Sequence, residues 1–187
     1  FFKKSKTLGY RSRSAFKLIE LNRKYRFIKK DTKLLDIGAC PGGWSQVSSK
    51  IITGGKILSI DIKKMEELKN VSFLQCDFFE QNTKEKILNF FKEELDVVLS
   101  DMAADTTGNK SLDSIRTNKL CAEVIEFSSK ILKPNGVLIS KLFMGDDFLE
   151  VKELAKSRFK KVEFFKPEAS RRESKETYIH CALLKTL

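Results

Sequence analysis

The sequence predicts an α/β fold: a mostly parallel, doubly wound sheet of seven strands with an antiparallel last strand and helices on both faces. Three observations predict it. Short apolar runs alternate with segments of helical periodicity along almost the whole chain. A Gly/Pro-rich turn at residues 38–43 follows the first run, as at the start of a nucleotide-binding sheet. The last two predicted strands are joined by too few residues for a parallel crossover, which needs about a dozen or more.

Seven short apolar runs are the predicted strands. The run at 95–101 is almost wholly apolar before it ends in Ser-Asp, which is typical of a strand buried on both faces. Because helical periodicity separates most of the runs, parallel pairing is expected between them. The predicted strands lie at residues 34–37, 56–61, 72–77, 95–101, 136–143, 161–165 and 177–184.

Apolar residues at helical spacing predict five helices. The first runs from Ala15 to Tyr25 and has Ser12 or Ser14 as its N-cap. Asn82 is the predicted N-cap of the third helix, and Pro134-Asn135-Gly136 is expected to end the fourth. The remaining predicted ranges are 44–51, about a dozen residues from 82, 113–132 and 147–158, with turn-like or loop structure at 1–12 and 102–112.

Length and composition predict one domain that spans residues 1–187. The 187 residues are 41% hydrophobic, enough for a sizeable core, and no Pro/Gly/Ser-rich linker divides them. No apolar run approaches the ~18 to 20 residues of a membrane span, so we expect no membrane partner. The four cysteines lie far apart without a C-x-x-C pair. We therefore expect neither a metal site nor a disulfide framework, and a reducing compartment.

The net charge of +11 is concentrated at the N-terminus. Residues 1–30 carry eleven Lys and Arg and a single acid, Glu20, so this segment alone has a charge of +10. Such a concentration is typical of a surface that meets a polyanion, although a solvated basic face without a partner stays open. Glu20 and Lys24 stand four residues apart in the first predicted helix, and we expect them to pair. A weaker basic cluster lies at residues 156–175.

Three consecutive predicted strands end in aspartate. Asp61, Asp77 and Asp101 would line one crevice with the turn at 38–43, because ligands bind outside the carboxyl ends of parallel strands. Asp61 lies 23 residues beyond Gly38, near the ~20-residue offset of an acid that binds ribose hydroxyls. The turn lacks G-x-G-x-x-G spacing, so a cofactor without phosphates is a candidate beside NAD. The alternative for each aspartate is an ordinary cap or turn residue.

The next predicted strand ends in a lysine instead. Lys141 would face the carboxylates, and a lysine buried there is costly unless it is paired. It is a candidate general base if burial and cationic neighbours such as Lys17 lower its pKa more than Asp101 raises it. A structural Lys/Asp ion pair is the alternative. The only histidine, His180, lies mid-strand, and we expect it to be packed and hydrogen-bonded.

Four segments carry a resemblance to a known family. They are 9–18 (GYRSRSAFKL), 36–46 (DIGACPGGWSQ), 100–104 (SDMAA) and 174–179 (SKETYI). In this order they resemble the FtsJ/RrmJ (RlmE) family of ribosomal RNA ribose 2′-O-methyltransferases, over about residues 9–185. The likeness is greatest to the bacterial stand-alone members, which modify a uridine of large-subunit ribosomal RNA. It implies a Rossmann-like class I methyltransferase fold that uses S-adenosylmethionine, a cofactor without phosphates.

The resemblance also implies site residues. It places the family's catalytic K-D-K-E tetrad on Lys17, Asp101, Lys141 and Glu176. It places the cofactor ribose at Asp61, the adenine near Asp77 and the methionine end near Asp101. The cofactor-binding set is Gly38, Pro41, Gly42, Gly43, Trp44, Asp61, Asp77, Phe78 and Asp101. The RNA-binding set is Lys3, Lys4, Lys6, Arg11, Arg13, Arg23, Lys24, Arg171 and Arg172.

The implied reaction is methyl transfer to a ribose 2′-oxygen, with S-adenosylhomocysteine as the second product. Our hypothesis makes Lys141 the general base, neutral in the reactive state. Asp101 would orient it, Lys17 would hold down its pKa and position substrate, and Glu176 would complete the network. The expected partner is ribosomal RNA within the large subunit, bound by a monomer. The expected location is the bacterial cytoplasm, or an organelle if an upstream targeting segment was removed.

Three other functions stay open at this level. A nicotinamide-dependent oxidoreductase would share the fold and Asp61 but should have a catalytic His, Tyr or Ser constellation. A non-catalytic RNA-binding ribosome assembly factor would share the basic segment. Among methyltransferases, transfer RNA or a messenger RNA cap is the alternative substrate, and the tetrad residues do not discriminate between these RNAs.

Overall fold

A computed structural model describes residues 1–186 of the chain. Helices and strands alternate over most of this range, as the sequence predicts. The elements are α1 (Phe2–Thr7), α2 (Ala15–Tyr25), β1 (Lys33–Ile37), α3 (Gly43–Ile51), β2 (Lys56–Asp61), β3 (Ser72–Gln75), α4 (Gln81–Phe91), β4 (Leu95–Ser100), α5 (Lys110–Ile131), β5 (Leu132–Phe143), α6 (Phe148–Arg158), β6 (Phe159–Phe165) and β7 (Glu176–Leu184).

The strands form one seven-stranded sheet in the order β3-β2-β1-β4-β5-β7-β6. Every neighbouring pair is parallel except the two that involve β7, which runs antiparallel to both β5 and β6. The mostly parallel sheet with an antiparallel last strand is therefore confirmed. β7 does not close an edge, however, but inserts between β5 and β6. The strand order reverses between β1 and β4, which opens a crevice at their carboxyl ends.

Helices cover both faces of the sheet. Successive strand residues point to opposite faces, so Leu34 joins the core under α2 and α3 while Leu35 joins the core under α4, α5 and α6. Val97 and Val98 of β4 divide in the same way. All four side chains are 0–1% exposed. Burial on both faces accounts for the apolar character of these runs.

Two helix starts differ from the predictions. Helix α5 begins at Lys110, inside the predicted loop, because the Asn109 side chain caps it by accepting from the Leu112 N–H at 3.1 Å. Helix α4 begins at Gln81 after Glu80, so the predicted N-cap Asn82 lies within its first turn. Both starts depend on local geometry that the apolar spacing does not encode.

Two other segments also differ from the predictions. The turn-like N-terminus contains α1, and a ring contact between Phe1 and Phe16 of α2 at 5.7 Å holds it against the fold. Pro134-Asn135-Gly136 does not form a separate turn but lies inside β5. The pairing of β5 with β4 shifts register at this point. No helix within residues 1–186 is both long enough and apolar enough to span a membrane. The thiols of Cys40, Cys76, Cys121 and Cys181 are free.

Candidate active site

The crevice is bordered by the loop at 38–43 and by the end of β2. Asp61 lies at the carboxyl end of β2, and its Oδ2 accepts from the Cys40 main-chain N–H at 2.9 Å. Its Oδ1 accepts from the Lys63 N–H at 2.8 Å. A carboxylate has about four acceptor positions, so both oxygens keep capacity for a ligand. The structure thus brings the predicted ribose-binding acid and the predicted loop together.

Two glycines of the loop are required for different reasons. Gly38 has a φ of +71°, and a Cβ there would clash with the side chain of Met102. A Cβ on Gly43 would overlap Ser12 Oγ. Glycine at position 43 therefore allows the N-terminal segment to pack against α3.

The adenine end of the predicted cofactor site is less closely assembled. Asp77 Oδ1 accepts from the Phe79 N–H at 2.9 Å, which is a turn contact. Phe78 is 3% exposed and packs edge-on against Phe127 at 5.4 Å, so its ring belongs to the core. The apolar side chains that are exposed after the two acids are Ile62 (64%) and Phe79 (43%). The sequence analysis did not select either of them.

Trp44 connects the loop to Ser14 and Tyr178. Its side chain is 3% exposed, and its indole N–H donates to the Ser14 carbonyl oxygen at 2.8 Å. The ring packs against Tyr178 at 5.6 Å. Because the indole is buried, only the main chain of Trp44, at the start of α3, could contact a ligand in the crevice.

The four predicted catalytic residues meet in one network. Lys17 of α2 places its Nζ 2.7 Å from Glu176 Oε1 at the start of β7. Lys141 Nζ of β5 lies 3.2 Å from Oδ1 of Asp101, which follows β4, and 3.5 Å from Glu176 Oε2. All four side chains are only 10–19% exposed. The ammonium groups of Lys17 and Lys141 therefore share the Glu176 carboxylate. The ammonium group of Lys141 also pairs with Asp101.

Three hydroxyl groups complete this network, and the sequence analysis missed all three. The Tyr178 hydroxyl donates to Asp101 Oδ1 at 2.5 Å and lies 3.1 Å from Glu176 Oε1. Ser14 is the N-cap residue of α2, as predicted, but its Oγ donates to Asp101 Oδ2 at 2.6 Å rather than taking part in a capping hydrogen bond. Ser170 Oγ donates to Glu176 Oε1 at 3.2 Å. Tyr178 could have been predicted as a member of the network. It lies two residues after Glu176 in β7, and residues two apart on a strand share a face.

The charges of the network stabilise one another. Burial lowers the pKa of Lys141, but Asp101 and Glu176 outweigh it, and the pKa ends above its ordinary value. Burial raises the pKa of Glu176, but Lys141 and Lys17 lower it to about 2. In the free protein Lys141 is therefore an ammonium ion at neutral pH. The expectation that the pKa of Lys141 is held down is wrong for this state, because Asp101 and Glu176 raise it by more than burial lowers it.

Tyr178→Phe is expected to lower the free energy of unfolding by about 1.5 to 3 kcal/mol, the usual contribution of a hydrogen bond to a charged group. The variant removes the phenol that donates to Asp101 and keeps the ring volume. Urea unfolding followed by circular dichroism measures the change. Tyr10→Phe is the matched control, because the Tyr10 ring is held through contacts of its faces and edges with Phe16 and Lys50 rather than through its hydroxyl. Equal stabilities of the two variants would contradict the assignment.

A cleft of about 510 Å³ opens over Lys17 and Glu176. Ala103, Ala104 and Phe143 provide part of its wall. Its cationic lining comes from four further residues, of which the predictions named two, Arg13 and Arg171, and missed Lys110 and Lys175. The other predicted RNA contacts that are exposed on the surface are Lys3, Lys4, Lys6, Arg23, Lys24 and Arg172.

Arg11 and Glu20 of the basic segment form hydrogen bonds to main-chain groups of the protein. The Arg11 guanidinium donates to main-chain carbonyl oxygens of Pro41, Glu66 and Glu67. Three of its N–H donors therefore face the protein, and the RNA contact by Arg11 stays a prediction. Glu20 accepts from two main-chain N–H groups of the segment before β7, at 2.9 and 3.0 Å. It does not pair with Lys24, whose ammonium lies over the Tyr25 and Phe165 rings.

His180 is packed, as expected, but without the expected hydrogen bond at Nδ1. It is 4% exposed and stacks on the Tyr25 ring at 3.9 Å, while Nδ1 has no partner. Burial, together with Lys161, lowers its pKa to about 4. The imidazole is therefore neutral at pH 7 and structural in character.

Comparisons with known proteins agree with this geometry. Residues 10–183 match the FtsJ-like methyltransferase family. Two relatives named ribosomal RNA large subunit methyltransferase E come from Pelagibacter ubique and Rickettsia akari. The first is 44% identical over 99% of this chain and 91% of its own length, and the second 46% identical over 94% and 80%.

Solved structures give the same result for the fold. A Plasmodium falciparum protein described as a ribosomal RNA methyltransferase superposes with a TM-score of 0.82 at 32% identity, covering 94% of this chain and 98% of its own. Human methyltransferase-like protein 13 covers 91% of this chain and 81% of its own at a TM-score of 0.63 and 16% identity, a likeness of fold alone. This chain, with its Rossmann-like sheet, therefore belongs to the FtsJ-like methyltransferase family.

Proposed function

We propose that this chain transfers the methyl group of S-adenosylmethionine to the ribose 2′-oxygen of a uridine in large-subunit ribosomal RNA. The observation that carries the proposal is the Lys17–Glu176–Lys141–Asp101 network, because its members Lys17 and Glu176 line a cleft together with four further cations. Two relatives that are 44–46% identical to this chain are named as ribosomal RNA large subunit methyltransferases. Their names support ribosomal RNA as the substrate over transfer RNA or a messenger RNA cap. We further propose that residues 1–187 act as one methyltransferase domain.

The residues of the crevice suit this cofactor. Asp61, Asp77 and Asp101 lie at or just beyond the carboxyl ends of β2, β3 and β4, and they offer negative charge and hydrogen-bond acceptors. Acceptors of this kind match ribose hydroxyls, amino groups and a positive centre rather than phosphates. Ile62 and Phe79 add exposed apolar surface that suits an adenine ring. When bound, S-adenosylmethionine supplies a methyl group activated by its positively charged sulfur.

In the proposed mechanism Lys141 would take the proton of the 2′-hydroxyl while the oxygen–methyl bond forms and the methyl–sulfur bond breaks, which would leave S-adenosylhomocysteine. Asp101 and Glu176 hold the Nζ in place, and Lys141 must first lose the proton that they stabilise. Lys17 keeps Glu176 ionised and faces the cleft, where it positions substrate. A base contributes about 3 to 5 kcal/mol, whereas alignment of the reacting atoms contributes ~7 to 11. Alignment of the reacting atoms is therefore expected to contribute more to the rate than proton transfer to Lys141.

Arg171→Gln is expected to weaken RNA binding and to reduce its salt dependence. Arg171 lines the cleft, and each lost phosphate contact lowers the slope of log K against log salt by ~0.7 to 0.9. Filter binding of ribosomal RNA fragments at several salt concentrations measures the slope. Lys86→Gln on α4 removes the same charge from an exposed residue outside the cleft and should leave the slope unchanged. Indistinguishable slopes for the two variants would contradict the RNA-binding role.

Transfer of a labelled methyl group tests the proposed reaction. The protein is incubated with S-adenosylmethionine and separate pools of unmodified large ribosomal subunits, free ribosomal RNA and transfer RNA. We expect label in the large-subunit pool. Label in transfer RNA alone would overturn the substrate, and no label from protein that binds S-adenosylhomocysteine would overturn transfer to these RNAs. Action within the large subunit, a monomeric state and a cytoplasmic location belong to the same proposal.

A further inference from the structure

Arg11 lies in the most basic part of the chain but directs its guanidinium into the protein. Nη1 donates to the carbonyl oxygens of Pro41 at 3.1 Å and Glu66 at 2.7 Å, and Nη2 donates to that of Glu67 at 2.8 Å. The Arg11 main-chain N–H donates to Gln46 Oε1 at 2.7 Å. Gln46 Nε2 in turn donates to the Gly9 carbonyl oxygen at 3.3 Å. Arg11 is thus fixed at both its main chain and its side chain.

These contacts join the two loops that flank Asp61. Pro41 belongs to the loop after β1, and Glu66 and Glu67 belong to the segment between β2 and β3. Two shorter links run in parallel, from the Cys40 N–H to Asp61 and from Cys40 Sγ to the Lys64 carbonyl oxygen at 3.5 Å. Arg11 is the link with the most hydrogen bonds, and it comes from a third segment of the chain.

The shape of the loop fits the guanidinium. Gly42 has a φ of +113°, and a Cβ there would lie 3.0 Å from Arg11 Nη1, so the group packs directly on the glycine main chain. A guanidinium offers five N–H donors in a planar fork, which can reach three carbonyl oxygens on two loops at once. A lysine ammonium is a compact group that cannot span the same acceptors. Three of the five N–H donors are bonded within the protein.

We propose that Arg11 is a positioning residue of the cofactor crevice, holding the main chain at 41 and at 66–67 so that the loops on either side of Asp61 keep their separation. This inference rests on the proposed function. Arg13, two residues further along, lines the cleft and serves the RNA instead. The two arginines of the R-S-R motif therefore divide cofactor and RNA between them.

Binding of S-adenosylhomocysteine and of RNA to Arg11→Lys and Arg13→Lys tests the proposal. We expect Arg11→Lys to weaken S-adenosylhomocysteine binding roughly tenfold in calorimetry, because more than one hydrogen bond is lost. Its RNA salt slope should stay as in the wild type. Arg13→Lys should leave the S-adenosylhomocysteine affinity unchanged. Unchanged S-adenosylhomocysteine affinity in Arg11→Lys, with weaker RNA binding, would overturn the proposal and make Arg11 an RNA contact.

Amide hydrogen exchange gives a readout that needs no cofactor. Arg11→Lys should exchange faster at residues 40–46 and 62–67 than the wild type, while the amides of β4 and β5 report that the fold is intact. Arg13→Lys should match the wild type in both loops. Equal exchange in all three proteins would overturn the inference. A wild-type protein that binds no S-adenosylhomocysteine would instead overturn the proposed function and leave the exchange result to decide the role of Arg11 in the fold.

Discussion

Replacing Lys141 with alanine is expected to lower kcat for methyl transfer roughly 10²- to 10⁴-fold, the usual contribution of a general base. The affinity for S-adenosylhomocysteine should change little, since Lys141 pairs with Asp101 and Glu176 rather than facing the loop at 38–43. Steady-state kinetics with RNA substrate and calorimetry with S-adenosylhomocysteine measure the two quantities. A Lys141→Ala enzyme that keeps the wild-type kcat would contradict the role of Lys141.

Two comparisons sharpen this result. Lys133→Ala removes another ion-paired lysine of β5, 3.0 Å from Asp96, and should keep the wild-type kcat.

In the wild type, log kcat/KM should rise with pH with a slope near one from about pH 7 to 9. The pKa of Lys141 is raised in the free protein, so the neutral amine grows about tenfold for each pH unit below that pKa. A flat profile would assign Lys141 to positioning as an ammonium ion.

Glu176→Gln is expected to lower the free energy of unfolding at pH 7 by about 3 to 5 kcal/mol, the effect of breaking a buried ion pair. Glu176 accepts from Lys17 and pairs with Lys141, and both lysines would lose its charge. Urea unfolding at neutral pH measures the loss. Glu126→Gln is the control, because the pair of Glu126 with Arg158 is one-third exposed and should contribute no more than about 1 kcal/mol.

The same variant should also change the response to acid. The pKa of Glu176 is lowered to about 2 in the folded protein from an ordinary 4.5, so its stabilisation is present above about pH 4.5. It is lost as the pH falls toward 2. A difference of this size corresponds to about 3 kcal/mol in the wild type, which the glutamine variant lacks. Parallel stability curves for wild type and variant from pH 6 to 2 would contradict the depressed pKa.

The fold was predictable because each strand carries its own signal. Runs such as 95–101 are apolar enough to identify a buried strand, and the strand register then brings Ile37 of β1 opposite Ile60 and Ser100. The insertion of β7 between β5 and β6 was not predictable. A short connection between β6 and β7 indicates that they pair antiparallel, but it does not indicate which of the two lies next to β5. Helix α1 was missed because a tertiary contact of Phe1, rather than apolar spacing, holds it.

The site was predictable in part. Asp61 and Asp101 follow from where strands end, but Lys17 and Glu176 lie 159 residues apart, and only the family resemblance joined them. Charge counting could not reveal that the Arg11 guanidinium donates to main-chain carbonyl oxygens of two loops. Tyr178 could have been found from the two-residue period of its strand. Its hydrogen bond to Asp101 could not, because β7 reaches Asp101 only through the tertiary fold.

The most direct test of the proposed function is mass spectrometry of nucleosides from large ribosomal subunits treated with the protein and S-adenosylmethionine. The ribose 2′-oxygen mechanism predicts 2′-O-methyluridine with the wild type and its absence with Lys141→Ala. A methyl group on a base, or no methylated nucleoside from protein that binds S-adenosylhomocysteine, would contradict that mechanism.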